Sequence, residues 1–154
     1  MMISVVLLIA FVAILIAVAI IDIKTMIIPD GLLILATLAG LFWICLPNSL
    51  SVQDAIIGVF VGALPLLILN GFTWLVAKKP GFGYGDVKLM AVAGLFIGWQ
   101  GMPIAYFVAF VTGGIFGVYL LLTGRAERGA YLAFGPFLCL GIVVSLAFSL
   151  ICQL

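Results

Sequence analysis

Gly81-Phe82-Gly83-Tyr84-Gly85-Asp86-Val87-Lys88 interrupts two long apolar runs with a carboxylate and three glycines. The run before it, residues 55–77, and the run after it, 86–99, both read as helices in a lipid environment. The chain around this stretch has 154 residues, of which 68% are hydrophobic and 7% charged, with a mean hydropathy of +1.54. A soluble domain is roughly half apolar. A spanning helix takes about 20 residues, so about six helices with short connections use the whole length. The expected fold is all-α, a polytopic membrane bundle forming a single domain over residues 1–154.

Outward from the glycine stretch, the chain divides at its rare polar residues. Met1 to Ile21 is continuously apolar and ends at Asp22 and Lys24. Ala17-Val18-Ala19 has the small-x-small look of a signal cleavage site, but no basic residue precedes the run and the first lysine follows it, the reverse of a secretory leader. It reads as an uncleaved first helix. Pro29 restricts Ile28 to an extended conformation, and Asp30 suits the N-cap of a second helix, Gly31 to about Leu46. Pro47-Asn48-Ser49-Leu50-Ser51 is a turn leading through Asp54 into a third helix, about Ala55 to Ala77.

Gly58 and Gly62 in that helix have the spacing that lets membrane helices approach closely, as do Gly94 with Gly98 and Gly113 with Gly117. Pro65 and Asn70-Gly71 read as a kink or as a polar contact inside the bundle. The fourth helix is expected from about Asp86 to Trp99, with a turn at Gln100-Gly101-Met102. Pro103 suits the first turn of the fifth, which continues to about Thr123. After the polar loop Gly124 to Gly129, a sixth helix covers about Tyr131 to Cys152.

Charge sets the topology. If six helices alternate, Lys24, Lys78, Lys79, Lys88, Arg125 and Arg128, all the basic residues in the chain, fall on one side. The positive-inside rule makes that side cytoplasmic and both termini non-cytoplasmic. Of the acids, Asp54 lies on the other side, whereas Asp22, Asp30, Asp86 and Glu127 share the cytoplasmic one.

The chain contains no histidine, which removes the usual general base and every Ser-His-Asp or Cys-His mechanism. Ser4, Ser49, Ser51, Ser145 and Ser149 lie in or near the outer half, away from the lysines, so a serine-lysine pair fails on topology. Phosphate-loop and dinucleotide motifs are absent. Cys45, Cys139 and Cys152 form no CxxC pair and read as buried thiols, although Cys45 and Cys152 fall near the same outer surface. A net charge of +1 leaves no nucleic-acid footprint. Neither a cofactor nor a metal is expected.

What remains is carboxylate chemistry. Asp22 closes the first helix and Asp86 opens the fourth, so alternation gives them a similar depth. Two carboxylates at hydrogen-bonding distance in a low-dielectric site cannot both ionise easily. One then activates water while its protonated neighbour polarises a carbonyl. The competing reading is an ordinary helix cap, and Asp86 fits that position as well. A helix from Asp86 to Trp99 rises only about 20 Å, against a hydrocarbon core of about 30 Å, so Asp86 is expected below the membrane surface in a water-filled vestibule. Gly83 and Gly85, flanking Tyr84, would let an extended backbone approach it closely; a flexible loop is the plainer alternative.

Two stretches together resemble the type IV prepilin peptidases, aspartyl membrane proteases that remove the short leader of prepilins and pseudopilins. Asp22-Ile23-Lys24-Thr25-Met26-Ile27-Ile28-Pro29-Asp30 is similar to the family's first catalytic segment, which opens on an Asp and closes in Pro-Asp. Gly83-Tyr84-Gly85-Asp86-Val87-Lys88-Leu89 resembles its Gly-x-Gly-Asp segment, and Phe134-Gly135-Pro136-Phe137 resembles a further signature.

The resemblance implies Asp22 and Asp86 as the catalytic pair. Gly83, Tyr84, Gly85, Lys88, Pro29 and Asp30 would shape the site or position substrate. It also implies a bacterial inner-membrane location, a cytoplasmic active site, and prepilin or pseudopilin substrates with a basic leader and an apolar helix held in membrane lipid. Many members carry an additional segment with paired cysteines and methylate the new amino terminus. No such pair is present here, which points to the peptidase core alone and speaks against methyltransferase activity or a need for S-adenosylmethionine. A small transporter or proton-conducting subunit is the alternative from another class, and a structural membrane subunit a third. Carriers usually hold their ionisable groups near the bilayer midplane, unlike Asp22 and Asp86.

Overall fold

The computed structural model describes residues 2–46, 50–78, 81–124 and 133–152, and these are all helix or short connection. The elements are α1 (Met2–Thr25), α2 (Asp30–Ile44), α3 (Val52–Ala77), α4 (Tyr84–Leu122) and α5 (Gly135–Cys152). By length and composition, α1, α3 and α4 can cross a membrane, whereas α2 and α5 are shorter apolar helices. The outer surface is correspondingly oily: Ile9, Ile34, Ile68, Phe107 and Leu122 are all exposed. So much exposed apolar surface suits lipid and not water.

Where six separate helices are expected, the described residues form five elements, because the fourth and fifth expected helices are joined as α4. That element is nevertheless folded in half at Gly98, whose φ of 62° and ψ of −177° are non-helical. Phe82 and Phe110 make ring contact at 5.9 Å between centroids, although a straight helix would separate those positions by about 42 Å. Gly62 of α3 likewise faces Met90 from one half and Met102 from the other, and the Tyr106 hydroxyl donates to its carbonyl. The chain therefore reverses at Gly98, earlier than the expected turn at residues 100–102. Glycine is the residue that tolerates a positive φ there.

The small residues explain the close packing of α3 on α4. A Cβ at Gly58 would lie 2.6 Å from the Gly94 carbonyl oxygen, and one at Gly62 2.2 Å from that of Met90, so each glycine meets backbone directly. Gly113 receives the ring of Phe134, but Gly117 has nothing within 4 Å; the second half of that expected pair is not a packing position. α3 runs without interruption through Pro65. The core between the elements contains Leu15, Leu66, Leu89, Met102, Leu138 and Ile142, all fully buried. Phe11 stacks on Phe96 at 3.8 Å.

Three boundaries differ from expectation for identifiable reasons. Ser51 caps α3, its hydroxyl accepting the Asp54 N–H at 3.1 Å, so the helix begins at Val52 rather than Ala55. Asp30 is not an N-cap. Pro29, with extended angles of −68° and 124°, occupies that position and no side chain caps it; Asp30 is the first helical residue. The fourth helix begins at Tyr84, ahead of Asp86, with Gly83 as its N-cap. The loop carrying Arg125, Glu127 and Arg128, the expected helix start at Tyr131, the turn residues 47–49, Lys79 and the Cys152 side chain lie outside the described residues.

Candidate active site

The two ends of the bundle are chemically different. At the end bearing Trp99, the Asp54 carboxylate accepts from the Trp99 indole at 2.9 Å and from Ser51 at 2.6 Å, so it is fully engaged in local structure. At the opposite end, the close of α1 and the starts of α2, α4 and α5 converge around two buried acids. Asp22 is 4% exposed and Asp86 is 8% exposed.

Asp22 stands in the last full turn of α1. That helix ends when the Met26 N–H bonds the Asp22 carbonyl at 2.8 Å and Met26 takes a left-handed φ of 53°. The turn sends the chain through Ile28, which is buried against the glycine loop. A Cβ on Gly85 would lie 2.9 Å from the Cβ of Ile28, so glycine at 85 is what permits this approach. The Asp22 side chain is held from the far end of the sequence: the Gly135 N–H, at the start of α5, donates to its Oδ2 at 3.0 Å.

Asp86 is held in a parallel way. It sits in the first turn of α4, where its Oδ2 accepts the Gly83 N–H at 3.1 Å and its own N–H bonds the Gly83 carbonyl at 3.1 Å. The helix-cap reading of Asp86 is thus correct as local structure, and it coexists with a position beside a second acid. Both carboxylates line one cavity of about 280 Å³, together with Met26, Ile27, Ile28 and the Tyr84–Gly85 turn.

The other residues expected at the site are also here, with one exception. Gly83, Tyr84, Gly85, Asp30 and Lys88 line the same cavity, whereas Pro29 does not and serves as the α2 cap. Lys88 and Asp30 form an ion pair at 2.7 Å, with side chains 55% and 67% exposed. A pair this exposed adds little stability but bridges α2 to α4 at the cavity rim. Among the described residues, no cluster of three or more His, Cys, Asp or Glu forms a metal-binding group.

Two further residues contribute to the site without having been assigned to it from the sequence. Gly135 had only the resemblance of its surrounding signature to single it out, without a chemical role; its Cβ position, 2.6 Å from Asp22 Oδ2, leaves room for hydrogen alone. Asn70 read as either a kink or a polar contact, and it is the latter. Its Oδ1 accepts the Phe82 N–H at 2.7 Å, while Thr73 Oγ1 accepts the Gly81 N–H at 2.9 Å. These two side chains of α3 pin the loop that delivers Gly83 and Asp86. A buried asparagine within an otherwise apolar run was the available signal.

The chain resembles known proteins over most of its length. It is 35% identical over 127 residues to the prepilin leader peptidase/N-methyltransferase of Aeromonas salmonicida (strain A449), covering 82% of this chain and 44% of that protein. It is 35% identical over 132 residues to the protein of the same name from Stutzerimonas stutzeri, covering 86% and 46%. With that of Escherichia coli (strain K12) it shares 34% over 132 residues, covering 84% and 57%. The chain thus spans about half the length of these relatives. No solved structure gives a significant match. Residues 9–118 match the model of the type IV leader peptidase family, a span that includes both Asp22 and Asp86 and well over half of the sequence. The chain belongs to the type IV leader peptidase family.

Proposed function

We propose that the chain is a membrane-embedded aspartic endopeptidase that removes the leader of type IV prepilins or pseudopilins, with Asp22 and Asp86 as the catalytic pair. The observation that carries this reading is the convergence of two buried carboxylates, distant in sequence, on one cavity, each held through Oδ2 by a glycine N–H. Fixing one oxygen of each acid leaves the other to engage water and substrate.

The chemistry requires one proton shared between the two acids. The ionised carboxylate takes a proton from water as the water oxygen bonds to the scissile carbonyl carbon. The protonated carboxyl gives its proton to the carbonyl oxygen, forming a neutral tetrahedral intermediate. Collapse breaks the C–N bond as the leaving amine gains a proton from the acid that first accepted one, while a hydroxyl of the intermediate returns its proton to the other carboxylate as the C=O bond re-forms. The carboxylic product retains the water oxygen, and the pair returns to its starting state.

Orientation follows from the sparse charges. Lys24, Lys78 and Lys88 belong to the cavity end of the bundle, and residues 45–51 and 98–103 at the opposite end contain no lysine or arginine, which supports a site that faces the cytoplasm from the bacterial inner membrane. Six spanning segments, counting the halves of α4 separately, then leave both termini on the non-cytoplasmic side. A prepilin's apolar helix would remain in lipid while the junction with its basic leader enters the cavity. Transport is disfavoured because Asp22 and Asp86 stand at helix ends. The proposal covers cleavage alone. Its test is leader removal from a co-expressed prepilin by the wild type, Asp22→Asn and Asp86→Asn, with cleavage expected only from the wild type.

A further inference from the structure

The two glycines that hold the carboxylates are each preceded by a phenylalanine, and those two rings touch. Phe82 precedes Gly83, the donor to Asp86; Phe134 precedes Gly135, the donor to Asp22. Their centroids are 5.0 Å apart with an interplanar angle of 71°, an edge-to-face arrangement favoured by the ring quadrupoles. Both partners are themselves anchored. Phe82 has its N–H on Asn70 of α3, and Phe134 lies over Gly113, where a Cβ would come within 2.6 Å of the ring.

We infer that Phe82 and Phe134 are positioning residues whose edge-to-face contact sets the spacing of the Asp22 and Asp86 carboxylates. This rests on the proposed dyad. Each ring is one residue from the N–H that fixes a carboxylate oxygen, so a change in their separation moves the two donors apart. Without this contact, the glycine loop and the start of α5 reach the cavity from separate parts of the chain, and a two-acid mechanism tolerates little misplacement. Neither ring is among the residues lining the cavity, so their effect runs through the glycines.

Phe110 is the internal control. It touches the same two rings, at 5.9 and 5.4 Å, but adjoins neither donor glycine. Leader cleavage is measured with purified full-length Phe82→Leu, Phe134→Leu, the double variant and Phe110→Leu, alongside Phe82→Tyr, Phe134→Tyr, Asp22→Asn and Asp86→Asn. Thermal midpoint is recorded for each, and Phe→Met replaces any leucine variant that does not purify folded.

The expected result is a loss in kcat of about 10-fold or more for each Phe82 or Phe134 leucine variant, with KM within about threefold of wild type. The double variant should be no more than about threefold worse than the poorer single, since one contact cannot be broken twice. The tyrosine variants, which keep the rings, should recover the rate to within about threefold, and Phe110→Leu should lose stability while keeping kcat within about threefold. Multiplicative losses, an effect confined to KM, unaltered kcat, or an equal loss in Phe110→Leu would each overturn the inference. Cleavage by Asp22→Asn or Asp86→Asn would instead remove the dyad reading and the inference with it.

Discussion

Gly135 meets Asp22 so closely that the backbone N–H of one is 3.0 Å from the carboxylate oxygen of the other, with no space for a methyl group between them. Gly135→Ala is therefore expected to displace the Asp22 carboxylate and lose its hydrogen bond. A charge-assisted bond of this kind contributes about 1.5–3 kcal/mol, which corresponds to roughly 10- to 100-fold in rate. The kinetic constants of leader cleavage check this: kcat should fall, while a variant with wild-type kcat would show that the contact has no catalytic consequence.

Asn70 is buried, with its Oδ1 on the Phe82 N–H and no partner for its Nδ2 among the described residues. Asn70→Ala strands the Phe82 N–H, at a cost of about 1–3 kcal/mol. The loop should open more often, so hydrogen exchange at the Phe82 and Gly83 amides should quicken while amides within α3 keep their protection. Unchanged exchange at Phe82 would mean that Thr73 alone pins the loop.

Gly98 takes a positive φ with ψ near 180°, and a Cβ there would lie 2.5 Å from a methyl of Leu50. Gly98→Ala should lower stability by about 1–3 kcal/mol from the backbone conformation alone, read as a reduced thermal midpoint in detergent. Gly117→Ala, at a position with open space around it, should leave the midpoint unchanged or raise it slightly.

That Asp22 and Asp86 stand near helix ends on one cavity was legible because acids are so scarce in this chain that each one stands out against the apolar runs. Gly58, Gly62 and Gly94 were legible for a related reason, since their spacing has a single geometric use in lipid. The role of Gly135 was not, because it exists only where α5 begins beside the end of α1, and nothing local records that meeting. Asp30 misled because Ser, Thr, Asn and Asp are the usual caps, whereas here the extended angles of Pro29 already close the helix and free Asp30 to pair with Lys88. The reversal at Gly98 was displaced by a few residues for a similar reason: several glycines could have made the turn, and packing against Gly58 selected among them.

Asp22 and Asp86 are proposed to act together on one peptide bond. The most direct measurement is the fraction of a co-expressed prepilin that loses its leader, followed by mass, with wild type, Asp22→Asn and Asp86→Asn inserted at equal levels. Processing is expected from the wild type, with a drop of at least about 10³-fold for either substitution, the scale on which catalytic groups that act as a unit fail. Substantial leader removal by either inserted variant would contradict the proposal.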